Sequence, residues 1–147
     1  MLKEKILYVN YLIDSILLKI PTKMIYEQSL ENEFKNIHYE IYLENHYFIS
    51  EVSDNTEFAI KNLQKVMPAN VRVACCQSCR YGNFCPYGDN DNEIFCFKGI
   101  EVNNKDDVCK FFSSNNECYK ARSRELLDFC SNYEPISYNE HYTYNDW

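Results

Sequence analysis

Eight cysteines stand in a chain of 147 residues that has only three glycines, and each glycine lies three positions after a cysteine. The pairs are Cys79–Gly82, Cys85–Gly88 and Cys96–Gly99. A metal-bound thiolate carries excess negative charge, which backbone N–H groups of the following turn stabilise. A chain folded back that sharply favours a residue free to take positive φ. Cys85-Pro86-Tyr87-Gly88 fits a type I turn, with proline second and glycine fourth. Cys76 and Cys79 form the two-ligand CxxC knuckle that zinc and iron sites use. Cys85 and Cys96 are the nearest sulfurs with the same turn chemistry. The expected ligand set is therefore Cys76, Cys79, Cys85 and Cys96, with Cys109 as the alternate fourth ligand. The expected metal is zinc in a structural four-thiolate site; an iron–sulfur cluster is the alternative. Arg80 and Lys98 would offset the net negative charge of such a site, and Tyr81, Phe84 and Tyr87 would pack over it.

The remaining cysteines read differently. Cys75, beside Cys76 on a strand, would point the other way and serve as a core thiol. Cys130 shares a helical pattern with Leu126, Leu127 and Tyr133, which makes it a buried, inert thiol. Cys118 fits either role.

Catalytic readings find less support. A thiol oxidoreductase needs a helix to start at the CxxC, but the run from Arg80 to Gly88 is turn-forming. His38, His46 and His141 have no spacing that would pair one of them with a nucleophilic cysteine. Three glycines beside these cysteines make no phosphate loop. Asp89, Asp91 and Glu93 lack the glycine and terminal glutamate of a calcium loop. The chain is read as non-enzymatic, with no catalytic residue assigned.

Cys76-x2-Cys79-x5-Cys85 is similar to the start of the auxiliary-cluster motif of SPASM-type radical enzymes, which place a further cysteine three residues on. Here position 89 is Asp, and no radical CxxxCxxC motif exists, so the resemblance implies iron–sulfur ligation without the enzymatic activity. The wider run from Ser78 to Cys96, followed by Asp107-Val108-Cys109, resembles small cysteine-motif proteins of Gram-positive bacteria and implies no activity.

The elements that must position these sulfurs belong to a folded chain, with 46% apolar and 25% charged residues. A net charge of -7 and a pI near 5.0 argue against nucleic acid and anionic membranes as partners. A protein partner is expected, and the acidity also suits an immunity or inhibitor protein for a basic partner. The apolar run from Ile6 to Ile20 is interrupted by Asn10 and Asp14 and lacks a cleavage site, so neither a signal peptide nor a membrane span is read there. The expectation is a soluble cytoplasmic protein, and a reducing compartment favours metal ligation over disulfides.

The fold expected is α+β: a single domain over 1–147, with a small antiparallel sheet packed with helices and a cysteine-rich metal-binding lobe over 71–112. Ile6, Val9, Leu12, Ile13, Ile16, Leu17 and Ile20 form a stripe of period 3.6, which predicts a helix for the core or for a homodimer. Residues 36–52 alternate as a hairpin around Glu44-Asn45. Asp54 and Glu57 predict a helix start, with Phe58, Ile60, Leu63, Val66 and Met67 buried ahead of Pro68. Val71–Ala74 reads as a strand, and a last helix is predicted near 118–133.

Overall fold

The computed structural model describes residues 1–88, 92–114, 118–137 and 144–147. The chain divides into two compact units, Met1–Val73 and Ala74–Trp147.

The first unit is built on a five-stranded sheet. Its strands are β1 (Leu2–Ile13), β2 (Ile16–Gln28), β3 (Phe34–Leu43), β4 (His46–Ile49) and β5 (Val71–Ala74), in the order β4-β3-β2-β1-β5. Helix α1 (Thr56–Val66) packs on β3. The expected N-terminal helix is instead the long antiparallel hairpin β1–β2, with Ile13 opposite Ile16. Asp14 and Ser15 both take positive φ, 49° and 67°, as a two-residue primed turn requires. Along β1, burial alternates through Val9, Tyr11 and Ile13, while Ile6 and Tyr8 stay exposed. The stripe misled because this hairpin is apolar on both faces, so apolar residues recur at helical as well as strand spacing. Branched Ile and Val and the Asp-Ser turn decide for the strand. Pro21 is tolerated because the ladder between β2 and β3 includes no residue of β2 before Lys23. A homodimer through an N-terminal helix therefore has no helix to use.

The second hairpin is as expected. Glu44 and Asn45 make the same primed turn, with φ of 50° and 66°. Helix α1 starts one residue later than expected: Asn55 Oδ1 accepts from the Phe58 N–H at 3.2 Å. Asp54 instead accepts from the Asn36 N–H at 2.9 Å, where Asn36 bulges out of β3 at φ 50°. The helix buries Ala59, Ile60 and Leu63 against Ile37, Tyr39 and Ile41 of β3, whereas Phe58 lies on its exposed face.

The second unit has a three-stranded antiparallel sheet, β6 (Gly82–Asn83), β7 (Glu93–Cys96) and β8 (Ser123–Glu125), ordered as numbered. Helix α2 (Lys105–Ser113) is capped by Asn104, whose Oδ1 accepts from the Asp107 N–H at 3.0 Å. It presses Val108 and Phe112 onto Phe95 and Phe97. Edge-to-face ring contacts, with centroids 5.0 Å apart for Phe95–Phe112 and 4.9 Å for Phe97–Phe111, make this the unit's apolar core. The helix predicted near 118–133 does not form. Cys118–Arg122 is a 3-10 turn, β8 follows, and the chain from Leu126 to Ile136 is irregular. Helical spacing of Leu126, Leu127 and Tyr133 was outweighed by local turn formers: Asp128 draws in the Glu125 N–H at 2.9 Å, and Cys130-Ser131-Asn132-Tyr133 closes a turn.

The architecture is thus α+β with a mostly antiparallel five-stranded sheet. No helix among the described residues is long and apolar enough to cross a membrane.

Candidate functional site: a thiol-lined cavity

The CxxC knuckle leaves β5 and enters a 3-10 turn at Cys76–Ser78. Successive i to i+3 bonds tighten it: Cys79 N–H donates to Cys76 O at 3.3 Å, and Gly82 N–H to Cys79 O at 3.0 Å. Ser78 closes the turn from within. Its Oγ accepts from the Cys75 N–H at 3.1 Å and shares a 2.9 Å bond with the Tyr133 hydroxyl.

Gly82 is needed for space. A Cβ there would stand 2.4 Å from the Cys76 carbonyl oxygen and 2.8 Å from Ile94 Cδ1. Gly82 pairs with Cys96, so its bare backbone lets the knuckle lie against β7. Gly88 and Gly99 do take positive φ, 151° and 85°, as the cysteine–glycine register predicts.

These elements bring Cys76, Cys79 and Cys96 to the wall of one cavity of about 390 Å³. Cys130, read from sequence as an inert buried thiol, is exposed and lines the same cavity. Asp128 and Tyr81 also face it, as do Lys98, Arg122 and Arg124. Arg122 braces the Cys96 end, donating from Nη1 to Cys96 O at 3.0 Å and to Lys98 O at 2.9 Å. Lys98 Nζ lies 4.6 Å from the Tyr81 ring centroid. Arg80, expected to offset the site's charge, pairs with Glu134 at 3.2 Å.

The other expected ligands lie elsewhere. Cys85 is not among the cavity-lining residues and packs against the aromatic core of Phe95, Phe97 and Phe112. Cys109, on α2, sits 3.3 Å from the Tyr144 hydroxyl and also bonds to Tyr87. Cys75 is fully buried, the core thiol expected, and burial pushes its pKa up to about 11. His141, Asp89 and Asp91 fall outside the described residues. His38 bonds to Glu40 at 2.8 Å, and His46 to the Glu44 carbonyl at 3.0 Å, both within the first unit's hairpin.

Electrostatics keep the Cys76 and Cys79 thiols neutral by default. Burial raises the Cys76 pKa well above that of a free thiol, and Cys75, Asp128, Cys79 and Cys130 raise it further by charge repulsion. Burial also raises Cys79, against the opposing pull of hydrogen bonds from backbone groups of Glu134 and Tyr81. Those two bonds are the N–H support that a thiolate needs. A cation entering the cavity would reverse the balance, because four soft sulfurs beside a divalent charge ionise readily. Among the described residues, no three His, Cys, Asp or Glu side chains are already grouped to hold a metal ion.

Sequence reasoning missed Cys130 because its turn, closed by Tyr133 N–H to Cys130 O at 3.0 Å, has neither a CxxC partner nor the glycine that follows Cys79, Cys85 and Cys96 by three residues. No protein-family model, curated protein or solved structure matches the chain.

Proposed function

We propose that the second unit is a non-enzymatic metal-binding module that takes a thiophilic metal, zinc foremost, through Cys76, Cys79 and Cys96. The observation that carries this reading is that three sulfurs singled out by turn spacing line one cavity. Their donor chemistry fits zinc, which takes thiolates at about 2.3 Å in a tetrahedral shell. Lys98, Arg122 and Arg124 supply positive charge around a centre that thiolates make negative. The metal would hold β7 to the knuckle and thereby fix the surface that a protein partner meets.

An iron–sulfur cluster is the second reading. The volume of the cavity, about 390 Å³, favours it, since a cluster spreads its cysteine ligands more widely than a single ion does. Elemental analysis of protein purified without oxygen or added metal tests both. Stoichiometric zinc and a colourless protein support the first reading. Iron, sulfide and visible absorption support the second. Absence of both zinc and iron after reconstitution would overturn the proposal.

A further inference from the structure

We propose that Cys130 supplies the fourth thiolate of this centre, so that the metal clasps the C-terminal segment onto the CxxC knuckle. The inference rests on the metal-binding reading and adds to it a ligand that the spacing of residues 76–96 does not contain.

The backbone argues for it first. Residues 126–136 run along the knuckle and are tied to it at both ends. Gln77 N–H donates to Leu126 O at 3.1 Å and Cys76 N–H to Asp128 O at 2.7 Å. Further on, Arg80 N–H donates to Glu134 O at 2.8 Å and Ile136 N–H to Ser78 O at 3.0 Å. The short loop between these ties has one sulfur, Cys130, and it faces the cavity.

Local turn chemistry argues next. Cys76, Cys79 and Cys130 each accept, through the backbone carbonyl, a hydrogen bond from the N–H three residues on. Cys130 is therefore presented as the two knuckle cysteines are, although no glycine announces it. Cys85, the fourth ligand expected from sequence, is engaged with the aromatic core instead.

The chemical class is a four-thiolate centre, whether one divalent ion or an iron–sulfur cluster. The test loads the full chain with Zn2+, with Co2+ as a spectroscopic probe, or with iron and sulfide under anaerobic conditions. Cysteines are then alkylated and mapped by mass spectrometry. Protection of Cys76, Cys79, Cys96 and Cys130, with Cys85 and Cys109 modified, supports the proposal. Protection of Cys85 in place of Cys130 overturns it. The zinc and iron–sulfide arms tell ion from cluster. Affinity gives a second reading that does not depend on labelling. Cys130→Ser should weaken zinc by more than ~100-fold, and Cys85→Ser should leave it near wild type. A wild-type protein that takes up no metal in any arm defeats the metal-binding reading itself. A wild type that binds metal while Cys130→Ser binds equally well defeats only the clasp.

Discussion

The two units reach order by different means. The first has strands of 12, 13 and 10 residues, broken by a single register shift between β2 and β3, with Tyr11, Ile37, Tyr39, Ile60 and Leu63 wholly buried. The second has strands of two, four and three residues and a small aromatic core around Phe95 and Phe112. Strands that short contribute little ladder energy, and small cores commonly need a covalent or metal staple. All eight cysteines lie in this second unit. The contrast teaches that the sulfur is concentrated where the apolar core is thinnest.

Several changes would break or sharpen that contrast. On the proposed metal-binding reading, metal removal should have the largest effect, since structural zinc supplies on the order of 10 kcal/mol of folding energy in small domains. Chelation should speed amide exchange at Cys76, Gln77 and Arg80 while leaving β1–β3 unchanged. Equal loss of protection in both units would erase the distinction. Leu63→Ala is the converse experiment. It should cost about 2–5 kcal/mol of stability in denaturant melts without altering metal content.

Glycine replacements come next. Gly82→Ala should destabilise the second unit by about 1–3 kcal/mol, because its Cβ meets the Cys76 carbonyl, which cannot swing aside. Gly99→Ala meets no atom within 4 Å and should cost only the ~1–2 kcal/mol of a left-handed backbone at φ +85°. Melting curves of the two variants, with and without metal, would separate crowding from conformation. Helix caps rank below these: Asn55→Ala and Asn104→Ala should each lose about 1 kcal/mol, the first in the sheet unit and the second beside the aromatic core.

The smallest effect is one of pH. Hydrogen bonds from Tyr47 and then His38 hold the Glu40 carboxyl below the ordinary carboxylate range. Its contribution to stability is therefore complete at neutral pH, above the unfolded value, and is lost as the pH falls through the lowered folded value. Glu40→Gln should flatten that acid limb slightly, and an unchanged acid melt would show that the network is inert.

Much of this was legible in sequence, for reasons that differ by region. The hairpin around Glu44-Asn45, helix α1 before Pro68 and strand Val71–Ala74 each have a turn or cap residue that agrees with their periodicity. The N-terminal hairpin lacked that agreement: apolar side chains on both of its faces produce recurrences at three and four, and only Asp14-Ser15 marks the turn. Helix α2 was overlooked because its nine residues bury only Val108 and Phe112, too few to establish a period. At the candidate site, Cys76, Cys79 and Cys96 could be chosen because their turns advertise themselves through CxxC and glycine spacing. Cys85 advertises the same turn but is drawn into aromatic packing, a tertiary preference that spacing does not encode. Cys130 shows the reverse: its place is set by hydrogen bonds to a knuckle some fifty residues earlier in the chain.

The tight Asp14-Ser15 and Glu44-Asn45 turns have a consequence for how the first unit assembles. Each joins neighbouring strands through only two residues, so both hairpins can zip within microseconds, before any distant segment is recruited. Strand β5 must instead close a loop of about 57 residues, from Ile13 to Val71, to reach its place beside β1. The sheet should therefore grow outward from its hairpins and acquire β5 last. In pulse-labelling during refolding, Arg72 and Ala74 amides, which alternate with the Val71 and Val73 N–H groups held by Pro68 O and Gln64 Oε1, would contradict that order if protected as early as those of β1 and β2.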